Sequence, residues 1–327
     1  MSATASAHAP LITVPYSECN LQLCPIEAAQ IPYAPNLAGN VLYLTIFSVA
    51  LLVNIVLGIW CRTWGYLVSM SFGCILEILG YVGRVQMHFN PFPEDPFLLY
   101  LICVTIASIF FTAAVYLCLA RIVVVYGENL SILRPRTYTI LFIICDFISL
   151  VLQAGGGTIV SMADNQAFGD IGLHIMQAGL SFQVASLLVF AALCGLFANA
   201  CRRRRDERDP NFAELRRLRR FRFFLWSKFP LQQLSEPLYL TAGCCLALSI
   251  ATMAMLTRCA FRIAELSGGF HGEMWYNEVD YMVLEGAMIS ICVILLTIGH
   301  PGLCFARRYR EADFWVRREK RSVDGRH

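Results

Sequence analysis

Asp146-Phe-Ile-Ser-Leu-Val-Leu-Gln153-Ala-Gly-Gly-Gly157 places a carboxylate, a hydroxyl, an amide and three consecutive glycines inside a long apolar run. On a helix, Asp146, Ser149, Leu150, Gln153 and Gly157 share one face, at offsets of three, four, seven and eleven. If that helix lies in lipid, the face cannot meet acyl chains and must turn toward other helices or a hydrated path. The fold therefore turns on whether the run crosses a membrane.

Composition answers this. Of 327 residues, 57% are hydrophobic and only 15% are charged, against about 25% charged in soluble domains. The chain reads as an all-α, polytopic membrane protein. Seven apolar stretches are each long enough to cross a hydrocarbon core of about 30 Å: 39–60, 66–87, 97–126, 138–163, 172–200, 238–257 and 281–303. Helices follow, because an open chain in lipid must satisfy each backbone N–H within its own segment. Around the seven-helix domain at 38–304 lie a polar N-terminal tail at 1–37, a basic loop at 201–237 and a basic C-terminal tail at 305–327. No basic region precedes the first apolar run, so a cleaved signal peptide is not expected.

Of the 26 basic residues, 11 lie between Arg202 and Lys228 and 8 between Arg307 and Arg326. Connections after spans two, four and six are acidic or neutral, apart from Arg258 and Arg262. Positive charge stays cytoplasmic, so the N-terminus is expected outside and the C-terminus inside. Within the large loop, Phe212, Leu215, Leu218 and Phe221 recur among arginines. This pattern suits a basic amphipathic helix on anionic inner-leaflet lipid at Arg202–Lys228. It equally suits a purely topogenic signal.

Polar groups inside the spans are candidates for function, because burying them in lipid is costly. Glu77, Tyr81 and Arg84 share one face of span two. Depth matching suggests two ion pairs as gating candidates, Arg84 with Glu285 and Arg121 with Asp146. Gln153 and Gln183 fall near the midplane. Glu77 has no obvious ion partner, with protonation or a bond to Gln153 or Asn54 as the options. Glu77, Asp146, Gln153 and Gln183 are the candidate substrate path. For Asn54, Ser149 and Gln177 the plainer reading is an interhelical hydrogen bond, worth about 0.6 kcal/mol. Gly155–Gly157 suit close helix approach, with a local helix break as the other option.

Several chemistries find no motif. There is no P-loop and no GxSxG, and the only lysines are Lys228 and Lys320, so a Schiff base in span seven is excluded. His88, His174 and His271 lie on separate segments without short ligand spacing, so neither a metal nor another cofactor is expected, and no enzyme activity. Cys19 and Cys24 form a candidate disulfide in the N-terminal tail, with a link from either to Cys259 as an alternative.

Tyr33-Ala-Pro35-Asn36, Glu77-Ile-Leu-Gly80-Tyr81-Val-Gly-Arg84, Phe110-Phe111-Thr-Ala-Ala-Val-Tyr116, Ala120-Arg121-Ile, the Asp146–Gly157 stretch, Gly179-Leu-Ser-Phe-Gln183, Arg262-Ile-Ala-Glu265 and His300-Pro301-Gly302 occur in this order. Together they resemble the fungal lipid-translocating exporter family, which includes the aminocholesterol-resistance protein and the sphingoid long-chain-base exporter. Where that pattern expects Asp in span seven, this chain has Glu285. The resemblance implies seven spans, an outward N-terminus and movement of amphiphilic lipids or lipid-like toxins between leaflets or out of the cell, with membrane lipids as partners. The plasma membrane is the expected location, with internal membranes also open. The alternative is a seven-span receptor that signals through its basic loop and tail; a membrane hydrolase is a third reading. Nothing points to nucleic acid.

Overall fold

The computed structural model describes residues 29, 31, 33–126, 135–162, 165–208, 237–267 and 278–302. Among the described residues, seven helices are long and apolar enough to cross a membrane, as composition and hydropathy required. They are α1 (Leu37–Cys61), α2 (Trp64–Phe89), α3 (Glu94–Tyr126), α4 (Pro135–Ser161), α5 (Gln166–Arg208), α6 (Pro237–Ser267) and α7 (Glu278–Ile298).

Local chemistry explains the helix ends. Asn36 caps α1 by accepting from the Gly39 amide. Proline opens α4 and α6, where its missing N–H costs nothing. Glu94 and Asp95 sit in the first turn of α3, favourably placed on the helix dipole. Between α1 and α2, Arg62 takes φ 56° and lets its amide and that of Thr63 bond back into α1.

Two helices run furthest past the ends given by the hydropathy reading. α5 runs on to Arg208, into the stretch read as loop. α6 does not stop at Thr257 but continues to Ser267, so Arg258, Arg262 and Glu265 are helical and buried. Charged residues lower hydropathy and so look like a loop. At spacings of four and three they instead form one buried face. Cys19, Cys24 and most of Arg202–Lys228 lie outside the described residues. Cys259 is a free thiol buried within α6, not a loop residue.

α2, α3, α6 and α7 form the centre. About half of the apolar window is buried in α2 and α3, against 22% in α1. α1 packs on α2, and α4 packs along α5. Leu52, Val56, Phe147 and Val151 are among the large apolar residues left exposed. That surface suits acyl chains, since lipid and not water is the solvent there. Many hydroxyls in the spans, such as Thr45, Ser48 and Thr105, bond back to a carbonyl on the preceding turn, which satisfies those donors within their own helix.

The α4–α5 contact depends on one glycine of the triplet. A Cβ on Gly156 would lie 2.7 Å from the Gly172 carbonyl oxygen and 2.7 Å from the Met176 amide nitrogen, while Gly155 faces open space. Close approach is therefore the role of Gly156, and α4 stays helical through all three glycines. Gly156→Ala should destabilise the detergent-solubilised protein by about 1–3 kcal/mol in thermal unfolding. Gly155→Ala should be neutral or stabilising by up to about 1 kcal/mol.

At the Cys61 end, His300 ties α7 to the α1–α2 turn. Its Nδ1 accepts from the Gly302 amide at 3.1 Å, its Nε2 lies 3.4 Å from Thr63 Oγ1, and its ring meets Tyr66 edge-on. The accepting Nδ1 carries no proton, so Nε2–H is the donor to Thr63. Burial pushes the His300 imidazole down from its ordinary 6.5 to about 4. The unfolded chain takes up this proton as pH falls through about 6.5 while the fold resists it to about 4. The stability from this site is thus full above about pH 6.5 and declines as pH falls toward about 4. His300→Gln should flatten that part of the melting-temperature profile.

Candidate functional site

Among the described residues, two polar clusters lie in the bundle. The larger is in the half nearer Asn36 and draws on α2, α3, α6 and α7. Its centre is Glu285, on a π-helical turn, Met282–Ala287, that interrupts α7. Such turns release carbonyls from the helix ladder, and Tyr43 donates to the Met282 carbonyl at 2.7 Å. A Cβ at Gly286 would lie 2.6 Å from the Tyr43 ring and 2.9 Å from Tyr81 Oη, so only glycine admits both tyrosines there.

Glu285 Oε1 accepts from Arg258 Nη2 at 2.7 Å and from Arg262 Nη2 at 3.0 Å, and Arg262 Nε lies 2.9 Å from Oε2. Arg262 Nη1 also donates to Glu265 at 2.9 Å, and Arg258 Nη2 donates to the Val104 carbonyl at 3.0 Å. All four charged side chains are buried. The four, two cations and two carboxylates, are mutually neutralising, which is the condition for charge in a low-dielectric interior.

Arg84 does not pair with Glu285, contrary to the depth-matched expectation. Its guanidinium carbon lies 3.8 Å from the centre of the Tyr281 ring and 5.0 Å from that of Tyr100, and Nη2 donates to Tyr33 Oη at 3.4 Å. The reason is competition. Arg258 and Arg262 occupy both oxygens of Glu285, and aromatic faces accept the remaining cation. Glu77 is wholly buried, and neither of its oxygens has a hydrogen-bond partner. It bonds to neither Gln153 nor Asn54. Its electrostatic neighbours are Arg258, Arg262 and Glu285.

The second cluster joins α3, α4 and α5. Asp146 Oδ2 accepts from Thr112 at 2.7 Å and from Tyr116 at 3.0 Å. This corrects the expected Arg121–Asp146 pair: two hydroxyls on α3 donate to Oδ2 where a cation was expected, and Oδ1 has no hydrogen-bond partner. Gln153 Nε2 donates to Ser149 Oγ at 2.8 Å and to Gln183 Oε1 at 3.1 Å, and Ser149 donates to the Gly179 carbonyl at 2.7 Å. Asp146, Ser149 and Gln153 are all buried, as one shared face requires. Buried Cys259 lies within electrostatic reach of both Asp146 and Arg258, where the clusters adjoin.

Asn54 bonds Thr297 at 2.8 Å, and Gln177 bonds the Leu266 carbonyl at 2.8 Å; both join helices, as does Ser149. His88 meets the Pro35 carbonyl oxygen at 2.7 Å, His174 is exposed on α5, and His271 lies outside the described residues. The residues missed by sequence reasoning are Arg258, Arg262, Glu265, Tyr100 and Tyr281. The signal was available in part, because Arg258, Arg262 and Glu265 have helical spacing. It becomes visible once those charges are not assigned to a loop.

A family model described as RTA1 like protein matches residues 70–308, a range that holds all of both clusters except Tyr33 and Tyr43. The chain belongs to the RTA1-like family. Within the reach of this family, the chain is 33% identical over 284 residues to a protein of Saccharomyces cerevisiae (strain Lalvin EC1118 / Prise de mousse) named sphingoid long-chain base transporter RSB1, covering 84% of this chain and 74% of that protein. It is 23% identical to Protein RTA1 of S. cerevisiae (strain ATCC 204508 / S288c), covering 76% and 69%. It is 30% identical to Protein RTM1 of S. cerevisiae over 39% of this chain and 41% of that one. No solved structure matches the chain.

Removing Glu285 would strand the buried Arg258 and leave Arg262 with Glu265 alone. Glu285→Ala should cost about 3–5 kcal/mol in thermal unfolding. The double variant Glu285→Met, Arg258→Met should recover much of that loss, because it removes both members of one pair and leaves Arg262 bonded to Glu265.

Proposed function

We propose that this RTA1-like protein moves amphiphilic lipids, sphingoid long-chain bases foremost, from one side of a membrane to the other. The observation that carries the reading is the 33% identity, across 84% of the chain, to a protein named as a sphingoid long-chain base transporter. A long-chain base joins a cationic amino alcohol to a single apolar tail. The tail stays against the apolar exterior, and the head passes along polar groups between helices, where carboxylates replace part of the water the amine loses.

Glu77, Asp146, Gln153 and Gln183 line the proposed path. Glu77 offers two oxygens without partners and Asp146 offers one, Oδ1. Gln153 and Gln183 are bonded to each other and serve as the fixed wall. The ion pairs of Glu285 are the proposed gate on the side of Asn36, which we place outside the cell. The basic stretch at Arg202–Lys228 then faces cytoplasmic anionic lipid, and the plasma membrane is the proposed location. The chain acts without covalent chemistry, and a gradient or partner drives net movement.

Purified protein in liposomes should speed the equilibration of a fluorescent long-chain base at least tenfold over protein-free vesicles. Glu77→Gln should lower this rate at least tenfold, with Asp146→Asn less affected. Specific ligand binding with no lipid movement by the wild type would favour a receptor and overturn the proposal. Lipid breakdown products would favour a hydrolase.

A further inference from the structure

Unmet hydrogen-bonding capacity is concentrated in one neighbourhood. Of twelve buried side-chain atoms without a hydrogen-bond partner among the described residues, five belong to Glu77 (Oε1 and Oε2), Tyr81 (Oη), Arg84 (Nε) and Tyr281 (Oη). Glu77, Tyr81 and Arg84 share one face of α2 at offsets of four and seven. Tyr81 is an electrostatic neighbour of both Glu77 and Arg84, and Tyr281 of both Tyr81 and Arg84. The Tyr281 ring lies 3.8 Å beneath the Arg84 guanidinium. All four residues are at most 3% exposed.

A buried polar atom without a partner is expensive, and native interiors rarely tolerate a group of them. The other open atoms in this half, Asn40 Oδ1 and Glu285 Oε2, stand singly on their residues, and Glu285 Oε2 still lies 2.9 Å from Arg262 Nε. Glu285 is engaged by two arginines and Glu265 by one. The open atoms therefore point to a polar group that belongs among them.

Their chemistry limits what that group can be. Glu77 offers two acceptor oxygens and asks for N–H or O–H donors. Arg84 Nε is a donor that needs an acceptor, and Tyr81 and Tyr281 can donate or accept. A phosphate or carboxylate head supplies only acceptors and would set like charge against Glu77. A quaternary ammonium has no N–H for Glu77. A primary ammonium with neighbouring hydroxyls meets every demand: its N–H groups reach Glu77, and its hydroxyl oxygens accept from Arg84 and the tyrosines. Arg258 and Arg262 do not oppose such a cation strongly, because Glu285 and Glu265 neutralise them. The Arg84 charge is spread against aromatic faces.

We propose that Glu77, Tyr81, Arg84 and Tyr281 form a head-group site for a primary amino alcohol carried on a single long chain. The site rests on the lipid-transport reading for its role but not for its existence. It places the selective step in the half of the bundle nearer Asn36, with the Gln153–Gln183 cluster serving as wall.

The test is equilibrium binding to the full chain in lipid nanodiscs. The ligands are a fluorescent C18 2-amino-1,3-diol, its N-acetyl derivative and its 1-phosphate. The wild type should bind the free amine at least tenfold more tightly than either derivative. Glu77→Gln should abolish the preference over the N-acetyl form, and Glu77→Asp should restore part of it. Tyr81→Phe and Tyr281→Phe should weaken the amine several-fold while preserving that preference. Equal wild-type affinity for amine and N-acetyl forms, tighter binding of the phosphate, or an unchanged preference in Glu77→Gln would overturn the site. The wild-type comparison remains decisive if a variant fails to fold. Lipid movement measured on the same preparation separates the two proposals. Movement without amine preference sinks the site alone, and amine preference without movement sinks the transport reading alone.

Discussion

Everything in the half of the bundle nearer Asn36 depends on Glu285 neutralising Arg258 and Arg262 away from water. Three charges on two helices are stable in a hydrocarbon-like interior only when each faces an opposite charge at hydrogen-bond distance. That requirement fixes how α6 and α7 sit against each other, and it decides the environment of their neighbours. Arg84, excluded from Glu285, must lean on tyrosine rings. Glu77, with no arginine donating to it, keeps both oxygens open. One pairing thus leaves one carboxylate held by two arginines and another, Glu77, with neither oxygen hydrogen-bonded.

The two clusters divide the labour differently. Around Asp146, Gln153 and Gln183, hydroxyls and amides satisfy one another across α3, α4 and α5, and the close passage at Gly156 brings two of these helices together. Neutral hydrogen bonds of this kind hold helices at modest cost. The cluster around Glu285 uses formal charge, which is stronger and less forgiving. A lipid head crossing the bundle would meet bonded hydroxyls and amides with the single carboxylate Asp146 on one side, and several charged groups on the other.

Much of this fold was legible in the residues. The seven spans follow from apolar length, and the shared face of Asp146, Ser149 and Gln153 follows from helical spacing. The charge pairing was not legible, for physical reasons. Hydropathy averages over a window, so Arg258 and Arg262 read as a loop although their face is buried and paired. Depth matching ranks charges by height but says nothing of azimuth, so it assigned Arg84 to Glu285 when two closer arginines were available. The partners of Asp146 are a threonine and a tyrosine, residue types too common in spans to be singled out by pattern. The pattern gave Glu77 no obvious partner; in the structure neither of its oxygens is hydrogen-bonded, although Arg258 and Arg262 are its electrostatic neighbours.

The π-helical turn at Met282–Ala287 has a consequence for the phase of α7. A residue advances an α-helix by about 100°, and a π-turn accommodates one residue more than an α-turn would. The two ends of α7 are therefore offset by about that angle from an unbroken helix. The insertion lets one chain aim Glu285 at α6 while Ile289, Val293 and Leu296 still enter the core. Sequence length in this turn is thus a structural variable of its own. Deleting a single residue would regularise the helix and swing the carboxylate away from both arginines, with no change in composition that a hydropathy profile would register.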